Sequence, residues 1–203
     1  MILPNMTLEE IRKEIDKDFP ILHRKMKYVQ DDLDKKYSKL QKREGYTEYF
    51  EYTSKYKNHY IYKIQRQRKH TERQSMLVYH NGIGHVGIGV TYELHILYYT
   101  AHFFKRYNER RNLGYILHND IVRALLNEND HVGFTELEEI APNIHTIYGF
   151  IKSGMILGTY NRNVDLVKLH TYLTNEMLNQ NQNDRMTHLK EVLLKYEGSS
   201  ATL

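Results

Sequence analysis

Hydrophobic residues recur every three or four positions over the first 40 residues, which is the period of an amphipathic helix. Thr7 followed by Glu10 forms a capping-box pair that predicts the start of a first helix. Pro20 is predicted to stop or kink that helix, and a second helix is predicted over 21–43. The apolar stripe of this second helix either packs on the chain's own core or docks a partner, and both interpretations stay open.

From 46 to 99 the pattern changes to aromatic and β-branched residues separated by glycines, which is typical of strands. Three or four strands are predicted here, with a hairpin that turns near Lys57 and Asn58. The glycine-rich stretch 81–89 lies between two further strands and is predicted to be a hairpin bend. Short turns between consecutive strands favour an antiparallel sheet.

Helical spacing returns after the strands. Thr100 is predicted to cap an arginine-rich helix that Gly114 closes, and Asn119 is predicted to cap another helix. A second hairpin is predicted to turn around 161–163, and further helices close the chain. The predicted fold class is α+β, with a curved antiparallel sheet of about five or six strands, N-terminal helices and a basic helix packed beside the sheet.

A length of 203 residues suits one domain with one sizeable core. We expect a single α+β domain over 1–203, made of an N-terminal helical extension over 1–44 and a sheet-containing core over 46–197. The sequence shows no internal repeat. Its 18 Tyr and 6 Phe indicate an interior rich in tyrosines, whose hydroxyls need hydrogen-bond partners or access to water.

The chain contains no cysteine, which excludes disulfides, thiolate metal ligands and cysteine nucleophiles and favours the cytoplasm as its location. The N-terminus becomes charged within a dozen residues. No apolar run approaches the roughly 18 residues that a membrane span needs. We therefore expect neither a signal peptide nor a membrane partner.

Positive charge is concentrated in the N-terminal part of the chain. Residues 1–75 contain 18 Lys and Arg against 12 Asp and Glu, although the net charge of the whole chain is only +4. The segment 55–73 combines seven cations with interleaved tyrosines, a mixture suited to phosphates and stacked bases. A solvated basic strand that protects a sheet edge would look the same, and both interpretations stay open. The candidate RNA-binding residues are Lys55, Lys57, Lys63, Arg66, Arg68 and Lys69.

Several common catalytic and cofactor motifs are absent from the sequence. Gly82, Gly84 and Gly87 match the spacing of a dinucleotide-binding loop, but strand-like residues follow where that loop needs a helix. The 12 histidines form neither an H-x-x-x-H nor an H-E-x-x-H pair, and no serine lies in a nucleophile elbow. We therefore expect no cofactor and no metal ion.

The strongest candidate constellation lies on the arginine-rich helix. His102, Arg106 and Arg110 follow one another at intervals of four, so one helical face carries an imidazole and two guanidiniums. An ordinary surface helix with cations near its C-terminus would show the same spacing. On the last predicted strand, alternation places His170 and Thr171 on opposite faces, so both can line one groove only if the strand is bulged.

The segment TAHFFKRYNER resembles the H-x-x-x-R-x-x-x-R helix of small, often phage- or toxin-associated proteins of the barnase/colicin/RelE-like ribonuclease superfamily. The segment LVKLHTYLT resembles the closing strand of that group, which commonly carries Thr or Ser. The order of elements is also similar, with leading helices, a curved antiparallel sheet, a basic helix and further strands. Members generally cleave RNA without a metal, using His, Arg or Lys, and Thr, Ser or Tyr.

The resemblance implies a role for each matching residue. His102 would transfer protons, Arg106 and Arg110 would hold the phosphate, and Thr171 would belong to the same site. The chemistry of RNA cleavage adds His170, because one group must take the 2′-hydroxyl proton while another protonates the leaving 5′-oxygen.

Two functions are therefore predicted. The first is a toxin-like or phage-associated RNA-binding protein that acts as a metal-independent endoribonuclease, with RNA and a protein inhibitor as its partners. The alternative is a non-catalytic assembly protein that docks a partner, or forms a homodimer, through the amphipathic helix at 21–43.

Overall fold

The computed structural model describes residues 1–38, 45–67, 70–90, 96–128, 133–185 and 187–188. In chain order the elements are α1 (Leu8–Ser38), β1 (Tyr46–Thr53), β2 (His59–Gln67), β3 (His70–His80), β4 (His85–Val90), β5 (Ile96–Tyr99), α2 (Ala101–Arg110), α3 (His118–Glu128), β6 (Gly133–Ala141), β7 (Ile144–Ile151), β8 (Gly154–Asn161) and β9 (Leu166–Thr174). A short 3₁₀ turn, Asn175–Met177, follows β9. The predicted α+β class is confirmed.

The nine strands of the described residues form one open sheet in the order β1-β2-β3-β4-β5-β9-β8-β7-β6. Strands β1 to β5 and strands β6 to β9 are two antiparallel meanders, and the meanders join where β5 pairs with β9 in parallel. The sheet is therefore antiparallel except at its centre. It is also larger than the predicted five or six strands.

The additional strands lie where the sequence pattern is ambiguous. β4 runs through the glycine-rich stretch that was expected to be only a bend, and a Cβ at Gly87 would lie 2.9 Å from the ring of Phe104. β7 and β8 look like one long strand, because only two turn residues separate them. β6 is an edge strand with exposed apolar residues, Leu137 and Ile140, so it lacks the alternation of a half-buried strand.

Helices cover opposite faces of the sheet. α1 lies on one face, and α2 and α3 lie on the other, where Phe103 and Leu125 are fully buried in the largest core. The side chains of α1 that join the sheet's other core are Ile11, Ile15, Leu22 and Met26. No helix among the described residues is long and apolar enough to span a membrane.

α1 is one continuous helix that passes through Pro20, so the prediction of two separate helices is wrong. The predicted capping box is confirmed, because the Thr7 N–H donates to Glu10 Oε2 at 2.7 Å and the Glu10 N–H donates to Thr7 Oγ1 at 3.3 Å. A proline costs a helix one backbone hydrogen bond. Burial of apolar side chains on both sides of Pro20 offsets that loss.

The apolar stripe of this segment, for which packing on the core and docking of a partner were both open, lies against the chain's own sheet over its described residues. Leu22 and Met26 are buried in the core beneath α1, and Leu33 is buried together with Tyr46 and Ile64. The face that a docked partner or second copy would need over 21–38 is therefore already covered. The remaining residues of the predicted docking helix, 39–43, lie outside the described residues.

A buried carboxylate connects α1 to the sheet. Asp18 is fully buried, and its Oδ2 accepts hydrogen bonds from Asn58 Nδ2 at 2.7 Å and from the Tyr60 hydroxyl at 2.8 Å. Asn58 Oδ1 in turn accepts a hydrogen bond from the backbone N–H of Ile2 at 2.9 Å. One network thus fixes the N-terminus, α1, the β1–β2 turn and β2.

Replacing Asp18 with Ala should lower the free energy of unfolding by about 3 kcal/mol, because two buried donors lose their acceptor. Urea unfolding at pH 7 measures this change. Asp16→Ala is the matched control, since Asp16 is exposed on the same helix, and its effect should stay below about 0.5 kcal/mol. Equal stabilities for the two variants would contradict the proposed importance of the network.

Candidate functional site

β9 is longer than its parallel neighbour β5, and α2 lies beside the part of β9 that β5 leaves unpaired. β5 ends at Tyr99, opposite Leu169, whereas β9 continues to Thr174. The backbone N–H and the hydroxyl of Thr100 both donate to the Leu169 carbonyl, at 3.2 and 3.0 Å. Thr100 Oγ1 also accepts the N–H of Phe103 at 3.1 Å, so the predicted N-cap is confirmed and α2 starts next to the middle of β9.

α2 has a buried side and a polar side. Phe103, Phe104 and Tyr107 are buried against the sheet. His102 is exposed, and Arg106 and Arg110 are half-buried. The helical face predicted from the four-residue spacing therefore exists, and it borders solvent and β9.

The two arginines have different partners. Arg110 bridges to β9, where its guanidinium donates to the Tyr172 carbonyl and Nη1 lies 3.4 Å from Thr171 Oγ1. Arg106 stays on its own helix, with Nε 3.4 Å from His102 Nε2 and Nη1 3.1 Å from Glu109 Oε2. The ion pair between Arg106 and Glu109 is about two-fifths exposed on each side, so it is weak and open to exchange with an incoming anion.

β9 carries a bulge at His170. Leu169 pairs with Gly158 and Thr171 pairs with Leu157, so His170 has no partner on β8. A Cβ at Gly158 would collide with the carbonyl oxygen of Lys168, so the position beside the bulge requires glycine. Consecutive residues such as His170 and Thr171 can line one groove only where their strand is bulged. β9 has its bulge at this point.

The imidazole of His170 is held by a neighbouring strand. Its Nε2 lies 3.0 Å from Oγ1 of Thr159 on β8. Burial lowers the pKa of His170, and the charges of Lys168 and His102 lower this pKa further. The neutral form, which can accept a proton, is therefore favoured near pH 7.

We call the cluster of His102, Arg106, Arg110, His170 and Thr171 the α2–β9 site. These five residues lie on two adjoining elements, and within the cluster Arg106 contacts His102 and Arg110 contacts Thr171. His102 lies close enough to His170 for its charge to affect the pKa of His170. One wall of the site is a helix face and the other is a bulged strand.

The four RNA-binding candidates that the structure describes, Lys55, Lys57, Lys63 and Arg66, do not form one surface. Lys63 is only 1% exposed, and its Nζ donates to the Leu126 carbonyl at 3.0 Å, so the prediction that Lys63 binds RNA is wrong. It points inward because residues of β2 alternate between faces and this face is covered by α3. Arg66 is ion-paired with Asp34 of α1.

The remaining basic residues of that region lie apart from the α2–β9 site or outside the described residues. Lys55 and Lys57 are exposed in the β1–β2 turn. β2 is four strand positions from β9, which is about 19 Å at the usual strand spacing. Arg68 and Lys69 lie outside the described residues. The structure thus places the five predicted catalytic residues on two adjoining elements, whereas the four described RNA-binding candidates are not gathered with them.

A second group of histidines, which the sequence pattern does not predict, lies where α3 begins. The rings of His85 and His118 stack with centroids 4.8 Å apart, and His80 packs edge-on against His85 at 5.1 Å. Phe104 of α2 packs edge-on against His118 at 4.5 Å. No three His, Asp or Glu side chains within the described ranges are arranged to hold a metal ion. The stack therefore serves to pack α3 against β4 and α2.

The stacked histidines make folding sensitive to acid. Burial, together with the neighbouring His85, lowers the pKa of His118 to about 4. In the unfolded chain a histidine has a pKa of about 6.5. Because the unfolded chain binds the proton first, His118 contributes its full stabilisation above about pH 6.5, and this contribution is lost as the pH falls towards 4.

Replacing His118 with Phe should keep the ring packing and remove this pH dependence. The loss of unfolding free energy between pH 7 and pH 4 should then be smaller than in the wild-type protein by about 2 to 3 kcal/mol. Urea unfolding at both pH values measures the difference, with His23→Phe, exposed on α1, as control. Parallel pH profiles for wild-type and His118→Phe proteins would rule out this role.

Comparison with protein-family models, with curated proteins and with solved structures found no match for this chain. The geometry and chemistry of the α2–β9 site are therefore the basis for assigning a function.

Proposed function

We propose that this protein binds RNA at the α2–β9 site and cleaves it without a metal ion, as a toxin-like endoribonuclease. The observation that supports this most is the presence of two imidazoles on adjoining elements, His102 on α2 and His170 on the bulge of β9, with the guanidinium of Arg106 beside His102. RNA carries its own nucleophile, the 2′-hydroxyl. Its cleavage therefore needs only a base, an acid and a cation near the phosphate.

His170 is the base in this scheme, because its environment lowers its pKa and keeps the ring neutral. It takes the proton of the 2′-hydroxyl, the 2′-oxygen bonds to phosphorus, and the bond between phosphorus and the 5′-oxygen breaks. His102 gives a proton to the leaving 5′-oxygen. The products are a 2′,3′-cyclic phosphate and a 5′-hydroxyl, so the step consumes no water and no other reactant.

The two arginines have separate tasks in this proposal. Arg106 binds the phosphate, because its exposed pair with Glu109 can be exchanged for a phosphate oxygen at little cost. Arg110 is already engaged with the Tyr172 carbonyl and Thr171, so we assign it to holding β9 against α2 rather than to the phosphate clamp that the resemblance implies. Thr171 is the β9 end of that bridge.

The purified protein should cleave unstructured RNA in the presence of EDTA and leave 2′,3′-cyclic phosphate ends. His102→Ala and His170→Ala should each lower kcat/KM by about 10²- to 10⁴-fold, the usual contribution of general acid-base catalysis. His23→Ala is the control, because His23 is exposed on α1, and α1 contributes no residue to the α2–β9 site. Gel analysis of a labelled oligoribonucleotide measures the rates and identifies the ends.

Two results would overturn the proposal. The first is cleavage that disappears in EDTA, and the second is cleavage that the two histidine variants retain at the wild-type rate. A substrate with a single 2′-deoxy position adds a further check, since the bond that follows this position should resist cleavage. Binding without any cleavage would leave a non-catalytic RNA-binding protein.

A further inference from the structure

Thr159 lies on β8 beside the bulge, and its Oγ1 is 3.0 Å from Nε2 of His170. We propose that Thr159 is a positioning residue that fixes the ring of His170 with its proton on Nε2, so that Nδ1 is the atom available to accept a proton from RNA. This inference rests on the proposed function of the α2–β9 site. It adds a residue to that site for which the sequence pattern predicts no role.

The contact between Thr159 and His170 follows from the strand geometry. Thr159 pairs directly with Lys168, and His170 is its diagonal neighbour two residues further along β9. The tight approach at Gly158 holds the bulge at this point of the strand pair. Both residues are half-buried, which protects their hydrogen bond from competition by water.

The direction that we assign to this hydrogen bond decides which ring nitrogen is left for chemistry. A neutral imidazole carries one proton, so one ring nitrogen is a donor and the other is an acceptor. When the Nε2–H donates to Thr159 Oγ1, Nδ1 keeps the lone pair that a general base needs. The charged groups that face the ring are Lys168 on β9 and His102 on α2, and both disfavour a second proton on His170.

Nitrogen NMR of the histidine rings in the intact protein tests this assignment without any substrate. The wild-type protein and Thr159→Ser should show His170 with Nε2 protonated and Nδ1 unprotonated at pH 7.5. Thr159→Val should show the averaged nitrogen shifts of a ring that exchanges between tautomers. Thr146→Val is the matched control. Thr146 lies on β7 and pairs with Thr159 from the side of β8 that faces away from β9, so this change should leave the nitrogen shifts of His170 unchanged.

Cleavage kinetics supply the second readout. Thr159→Val should lower kcat by about 10- to 100-fold with little change in KM, as expected for a misplaced catalytic group, and Thr159→Ser should recover most of the loss. If the Thr159→Val protein keeps the wild-type tautomer, the positioning role is overturned. If the wild-type tautomer is fixed as proposed but the wild-type protein does not cleave RNA, the positioning contact stands and the proposed function fails.

Discussion

The parallel pairing of β5 with β9 is the contact on which the rest of this structure depends. It joins two antiparallel meanders into one sheet, and the two strands differ in length. Because β5 stops opposite Leu169 while β9 continues, the outer half of β9 needs a different neighbour, and α2 takes that place. Thr100 secures the start of the helix on the Leu169 carbonyl, and Arg110 secures its end on the Tyr172 carbonyl. Because a helix takes the place of a strand here, His102 on α2 and His170 on β9 lie on adjoining elements.

The two halves of the chain are built alike, although the sequence shows no repeat. α1 precedes the first meander and lies on one face of the sheet, and α3 precedes the second meander and lies on the opposite face. After β9, Leu178 packs on the face opposite to α2, which follows β5. Within the described residues the arginine-rich helix belongs to the first half alone, so the proposed site is not repeated there.

Local signals in the sequence predicted a large part of the fold. The capping box at Thr7, the N-cap at Thr100 and the turn near Lys57 each depend on neighbouring residues, and all three are present. The His102 stripe also depends on one helix alone. These features could be predicted because their physical cause lies within a few residues of sequence.

Features that depend on distant partners could not be predicted in this way. The burial of Lys63 depends on the carbonyl of Leu126, which lies 63 residues later in the chain. The stack of His85 on His118 depends on where α3 begins. β6 was missed because an edge strand does not need the alternating pattern of a covered one. The bulge at His170 depends on Gly158 in the neighbouring strand.

NMR of the histidine rings during titration with a 2′-O-methyl RNA oligonucleotide tests most directly whether His102 and His170 belong to one RNA site. Such a ligand binds without being cleaved, because its 2′-oxygen cannot attack. We expect the ring signals of His102 and His170 to shift together along one binding curve while those of His23 and His145 stay in place. Saturable binding that leaves both His102 and His170 unperturbed would contradict it.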